Sequence, residues 1–153
     1  MSITLDETVD IAAPAELVWE VIIDFPRYAE WNPFVLECRS SLKPGDPIDL
    51  LVKLMSRPQW QREFILEHEP GRIVRYGIRP MPLGAMASSR SNEVSAMDAA
   101  HSQYHMHFEL TGWLSPLVRL LLGRRMLKGF HGMTAGIKTR AEQLQRQRQG
   151  AGT

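Results

Sequence analysis

The stretch LVRLLLGRRMLKGFHGMTAGIKTRAEQLQR, residues 117–146, decides how this chain reads. Met126, Phe130, Met133, Ile137 and Leu144 recur at helical spacing on one face, while Arg124, Lys128, His131 and Glu142 fall on the other. A helix over Leu117 to Arg146 would be about 45 Å long at 1.5 Å per residue. Gly129, Gly132 and Gly136 lie together on a flank of the apolar face, and each costs roughly 0.8–1 kcal/mol of helix propensity relative to alanine. Something must approach that flank closely: a packed sheet, or a ligand for which room is left.

Upstream of that helix the period is two. Thr4 to Ala12 alternates into a first strand, and Ala13-Pro14-Ala15-Glu16 then starts a helix whose apolar face is Leu17, Val18, Val21 and Ile22. Phe25-Pro26 ends it, because the residue before a proline is pushed out of the α region. A second short helix begins at Pro26 and must stop at Asn32-Pro33. From Phe34 to Gly112 the pattern is strands and turns: Phe34 to Ser41, Ile48 to Met55, Trp60 to His68, Ile73 to Arg79, Arg90 to Met97 and His101 to Thr111. Pro80 to Ala87 holds two prolines and no period, so it is a loop. Its Met81, Leu83 and Met86 are unusual for a loop facing only water, and suit a lid, a dimer contact or an ordinary long turn. The order is α+β: a bent antiparallel sheet can bury its concave face only against the last helix. Residues 1–147 read as one domain and 148–153 as a frayed tail.

With 153 residues the chain can bury a core without a staple. Cys38 is the single cysteine, so no internal disulfide or zinc cluster is expected and a reduced, cytoplasmic home is the default. A net charge of +1 gives no field that would make nucleic acid the expected partner. The N-terminus has no basic start and apolar run, and the apolar stretch Leu114 to Leu122 is broken by Ser115, Pro116 and Arg119, short of the roughly 20 residues needed to span a bilayer.

The sequence resembles the START-like superfamily, also called SRPBCC or Bet v 1-like, and its polyketide cyclase/dehydrase branch most closely. The resemblance rests on Ile11 to Trp19, on Asp24-Phe25-Pro26-Arg27-Tyr28-Ala29-Glu30-Trp31-Asn32-Pro33-Phe34, on Leu42-Lys43-Pro44-Gly45-Asp46, and on Phe108 to Leu114 before the final helix. It implies a helix-grip fold, in which a seven-stranded bent antiparallel sheet wraps the long C-terminal helix around a deep cavity. It also implies a small hydrophobic ligand such as a lipid or polyketide, bound without catalysis or, in some members, cyclised or dehydrated. A third implied role is an interaction module for a quinone, a membrane or a protein partner. These are scaffold motifs, so they speak to fold more than to chemistry. Near Asp98-Ala99-Ala100-His101 the chain departs from the Gly-and-Thr turn of relatives, which leaves that hairpin's geometry open.

Taking the more apolar set of each strand as inward gives Ile48, Leu50, Val52 and Leu54; Trp60, Arg62, Phe64 and Leu66; Val74, Tyr76 and Ile78; and Tyr104, Met106, Phe108 and Leu110. The expected ligand-binding set is therefore Trp60, Arg62, Phe64, Tyr76, Tyr104, Met106 and Phe108 from the sheet, with Met126, Phe130, Met133 and Ile137 from the helix. Arg62, Tyr76 and Tyr104 are the candidates for any catalytic role. An inward Arg62 would clamp a carboxylate or polarise a carbonyl; with a shifted register, or paired to a rim carboxylate such as Glu93, it would be structural. Asn92 and Glu93 are further polar points. The same phase throws His105 and His107 outward with no evident third ligand, so neither metal nor cofactor is expected, and His68 and His131 show no partner for acid-base work. A homodimer remains open.

Overall fold

The computed structural model describes residues 2–151. Strand β1 (Ser2–Ile11) leads into helix α1 (Ala15–Ile23) and a 3-10 helix over Phe25–Glu30. Strands β2 (Val35–Ser40), β3 (Pro47–Val52), β4 (Gln59–Glu69), β5 (Ile73–Gly77), β6 (Ala87–Ala96) and β7 (Ser102–Thr111) follow, and α2 (Ser115–Ala151) closes the chain. The strands form one seven-stranded antiparallel sheet in the order β1-β7-β6-β5-β4-β3-β2. This is the α+β helix-grip architecture expected from the sequence, with α2 lying against the sheet's inner face.

β7 alternates buried and half-buried along its whole length, turning Ser102, Tyr104, Met106, Phe108 and Leu110 inward. β6 and β7 pair without a shift from Ala87↔Thr111 to Ala96↔Ser102. The Asp98 turn that joins them is therefore regular: Asp98 Oδ1 accepts from the backbone N–H of Ala100 at 2.7 Å, the local side-chain closure that aspartate supplies in turns. α1 buries Leu17, Val18, Trp19, Val21 and Ile22.

Neither a packed sheet nor a ligand fills the glycine flank of α2. The Trp31-Asn32-Pro33-Phe34 segment does. A Cβ on Gly129 would stand 2.4 Å from the Phe34 ring, and one on Gly136 would stand 2.8 Å from the Trp31 carbonyl oxygen. Asn32, 2 % exposed, fixes that segment by accepting from the N–H groups of Phe34 (3.0 Å) and Val35 (2.9 Å) through Oδ1. Phe34 then stacks edge-on against Phe130, ring centroids 5.4 Å apart. The C-terminus departs from the expected frayed tail, because the helix runs on to Ala151 and Arg148 reaches Glu20 of α1 at 2.8 Å. Gly152 and Thr153 lie outside the described residues.

Candidate functional site

Between the sheet and the first half of α2 lies a cavity of about 200 Å³. Its walls are mostly apolar: Phe34, Val35, Leu50, Val52, Leu54, Ile78, Phe108, Leu110, Val118, Leu122, Met126 and Phe130. Leu54, Met86, Val118, Leu122 and Met126 are half-exposed, which places the solvent side at the loops flanking the start of α2. Gln61, Glu63, Tyr76, Ser88 and Arg90 supply the polar lining.

The β4 phase expected from the sequence is reversed. Leu50 and Ile48 of β3 point inward as expected, and the register pairs them with Gln61 and Glu63, so these two must share their face. Arg62 therefore points out. It forms a two-point ion pair with Asp49, Nε to Oδ1 at 2.7 Å and Nη2 to Oδ2 at 2.9 Å, and not with Glu93, which pairs with Arg72. Trp60 is 50 % exposed and lies beneath the Arg39 guanidinium, 4.9 Å from its ring centre; Phe64 lies beneath Arg79 at 3.5 Å. Cationic covers of this kind let aromatic rings sit on an outer sheet face. Counting apolar residues alone mistook that covered outer face for the core.

Of the other expected residues, Tyr76, Phe108, Met126 and Phe130 meet at the cavity. Tyr104, Met106, Met133 and Ile137 are wholly buried behind it and do not line it. Tyr104 donates to Asn92 Oδ1 at 2.6 Å, so a buried tyrosine-asparagine pair backs the cavity's polar wall.

Sequence reasoning missed Arg90 and Glu63, the two charged groups of the cavity. The available signal was alternation within β6, where Arg90, Asn92 and Val94 share one face, and the β3 register for Glu63. Arg90 sits in the row Tyr76, Arg90, Phe108 across three adjacent strands. It is 5 % exposed; its guanidinium lies 4.8 Å from the Phe130 ring centre, and Nη2 is 3.1 Å from Met133 Sδ. Its Nε has no hydrogen-bond partner among the described residues. Desolvation opposes the charge, but Tyr76, Tyr104 and Tyr28 around it hold the guanidinium above its ordinary pKa, so it stays protonated. Glu63, 8 % exposed, accepts from the Gln61 side-chain amide at 3.0 Å. Burial pushes its carboxyl up to about 7, with Arg90 and Gln61 pulling the other way. Burial likewise raises Tyr76 and pushes Tyr104 up to about 12, so both phenols are neutral hydrogen-bonding groups at neutral pH. No ion pair joins Glu63 and Arg90 among the described residues, so the cavity lining holds a cation and a carboxyl that burial pushes up to about 7.

The histidines also differ from expectation. An acid does lie beside the outward pair: Asp6 Oδ1 is 3.0 Å from His105 Nε2 and 2.8 Å from His107 Nδ1. No group of the described residues has metal-binding geometry. His131 has a partner in Glu7, and His68 stacks on Trp19 with ring centroids 5.9 Å apart. Cys38 is buried, and burial raises its thiol pKa, which removes it as a nucleophile.

The family model described as polyketide cyclase/dehydrase and lipid transport matches residues 2–142. No curated protein matches the sequence. Among solved structures, the Zhui aromatase/cyclase from Streptomyces sp. R1128 superposes with a TM-score of 0.77 at 18 % identity, covering 93 % of this chain and 94 % of its own. A START superfamily protein from Mycobacterium smegmatis gives 0.70 at 16 % identity, over 92 % and 98 % of the two chains. A norcoclaurine synthase from Thalictrum gives 0.71 at 12 % identity, over 95 % and 97 %. At these identities the likeness is one of fold.

Proposed function

The chain belongs to the polyketide cyclase/dehydrase and lipid transport family, and from that premise we propose that it binds a small, largely apolar ligand bearing at least one oxygen function. The observation that carries this is the cavity's polarity: apolar walls with one polar pole, where Arg90 lines the same space as Glu63, Gln61 and Tyr76. A ligand oxygen at that pole would pair with the Arg90 guanidinium, while rings or chain segments fill the space between Phe34, Phe108 and Phe130. About 200 Å³ is below the roughly 300–1,000 Å³ of typical ligand pockets, which favours a compact ring compound over a phospholipid.

The test is native mass spectrometry of gently purified protein, followed by titration of any recovered compound into wild type and Arg90→Met. A co-purifying apolar oxygenated molecule whose affinity drops roughly 10- to 100-fold in the variant is the expected result, the range for losing a hydrogen bond to a charged group. Unchanged affinity in a folded Arg90→Met variant overturns the assignment of the pole.

Glu63 supports a second reading, dehydration of a β-hydroxycarbonyl ligand. A carboxyl titrating near 7 is suited to both removing and returning a proton at neutral pH. Glu63 would take the proton α to the carbonyl while Arg90 holds the developing enolate oxygen. The enolate pair then forms the C=C bond as the β-C–O bond breaks, with Glu63 returning its proton to the departing hydroxide as water. A recovered ligand that converts to a species lighter by one water in wild type, and not in Glu63→Gln, is the outcome that separates this enzyme from a binding protein.

A further inference from the structure

The first turns of α2 present a surface that the cavity does not use. Val118, Leu122 and Met126, spaced four apart, line the cavity; Leu117, Leu120 and Leu121 on the same turns are 50 %, 81 % and 66 % exposed. Trp113, just before the helix, is 64 % exposed, and its indole N–H donates to the Leu83 carbonyl at 3.1 Å. That contact brings in the tip of the 80–87 loop, where Leu83 is 93 % exposed and held at φ 60, a left-handed conformation that leucine ordinarily avoids. Large side chains from two separate segments thus gather on one exposed end, which a free surface rarely does.

The charges there have one sign. From Leu110 to Ala141 the sequence has no Asp or Glu. Arg119, Arg124 and Arg125 surround one shallow groove with Leu120 and Leu121, and Lys128 follows one turn on. None of these four has an ion-pair partner among the described residues, whereas Arg62, Arg72, Arg75, Arg140 and Arg148 elsewhere all do. No helix of the described residues is long and apolar enough to cross a membrane.

We propose that this end of the molecule docks peripherally on an anionic lipid surface, with Leu83, Trp113, Leu117, Leu120 and Leu121 entering the interface and Arg119, Arg124, Arg125 and Lys128 meeting the headgroups. Exposed leucines and a tryptophan beside an unpaired cationic rim are what the boundary between acyl chains and charged headgroups selects. A second copy of the chain fits worse, since two such faces brought together would oppose their unpaired cations. Docking itself does not depend on the identity of the cavity's ligand.

The experiment is flotation of the full chain with vesicles of phosphatidylcholine alone and of phosphatidylcholine mixed with phosphatidylserine. The expected result is binding that needs phosphatidylserine and weakens as salt rises. Leu120→Ser with Leu121→Ser should lower partitioning roughly tenfold or more, and Arg124→Gln with Arg125→Gln about fivefold per charge. Both pairs are checked for an unchanged melting temperature. If either pair fails to fold, quenching of the wild-type protein by brominated lipid, absent in Trp113→Phe, reads the same contact. Equal binding to both vesicle types, no binding to either, or a solution dimer that Leu120→Ser with Leu121→Ser turns into monomer each overturn the proposal, the last by identifying a second copy as what covers the face.

Discussion

The two halves of α2 are built on opposite rules. From Gly129 to Ala141 the helix is closed: Phe34 and Trp31 press against glycines, Met133 and Ile137 are fully buried, and Lys138 and Arg140 reach Glu142 and Glu30. From Ser115 to Lys128 it is open: it roofs a cavity, shows leucines to solvent and carries unpaired cations. The closed half meets the packing and pairing demands of a stable core. The open half leaves its surface leucines and cations unmatched and roofs the cavity whose polar pole lies across on β4, β5 and β6, and that is where we propose a partner supplies what is missing. The contrast separates the residues that hold the fold from those that the proposed binding uses.

The largest expected effect tests the open side from within. Glu63 titrates near 7 when folded and at an ordinary 4.5 when unfolded, so the folded state holds more protons between those values. Stability from neutral Glu63 is fully present below about 4.5 and is lost as pH rises through about 7, a drop on the order of 3 kcal/mol. Denaturant melts of Glu63→Gln should lack this drop, leaving the variant more stable than wild type at pH 8 and nearly equal at pH 4. Parallel pH curves for both proteins would place Glu63 in water instead.

Gly136→Ala probes the closed half. Its Cβ would meet the Trp31 carbonyl at 2.8 Å, a backbone atom that cannot step aside. A destabilisation of about 1–3 kcal/mol is expected from the clash, despite the gain in helix propensity, with ligand affinity kept. Gly123→Ala is the same substitution in the open half, where only Arg119 Cγ at 3.6 Å is near. It should raise stability by up to about 1 kcal/mol, measured by chemical denaturation. Opposite signs at the two positions support the contrast; equal signs break it. The smallest effect belongs to Arg62→Ala, which should leave ligand affinity unchanged and move the melting temperature little, since its pair with Asp49 is solvent-screened.

Much of this was legible in the chain. β7 alternates over its whole length and β3 from Pro47 to Leu51, and the phase assigned to them from the sequence is the one adopted. The glycine flank announced a close approach without saying by what, because the Trp31 to Phe34 segment lies about a hundred residues away. β4 read wrongly because hydrophobicity counts the side chain and not its cover. Arg39 and Arg79 make an outer face habitable for Trp60 and Phe64, while the inner face holds Gln61 and Glu63. A polar pair turned inward is the kind of local violation a site requires, and an inward set chosen for its apolar residues passes over it.

What the sequence determined by itself was the order of elements, strands and short helices ahead of a long amphipathic helix, because periodicity and proline positions act locally, while the family came through the resemblance of its motifs. What only the tertiary structure decided was which arginine is inside. Arg62 and Arg90 are indistinguishable as letters. Strand register sends one to Asp49 in solvent and the other between Tyr76 and Phe108, and register is set by neighbours distant in the chain.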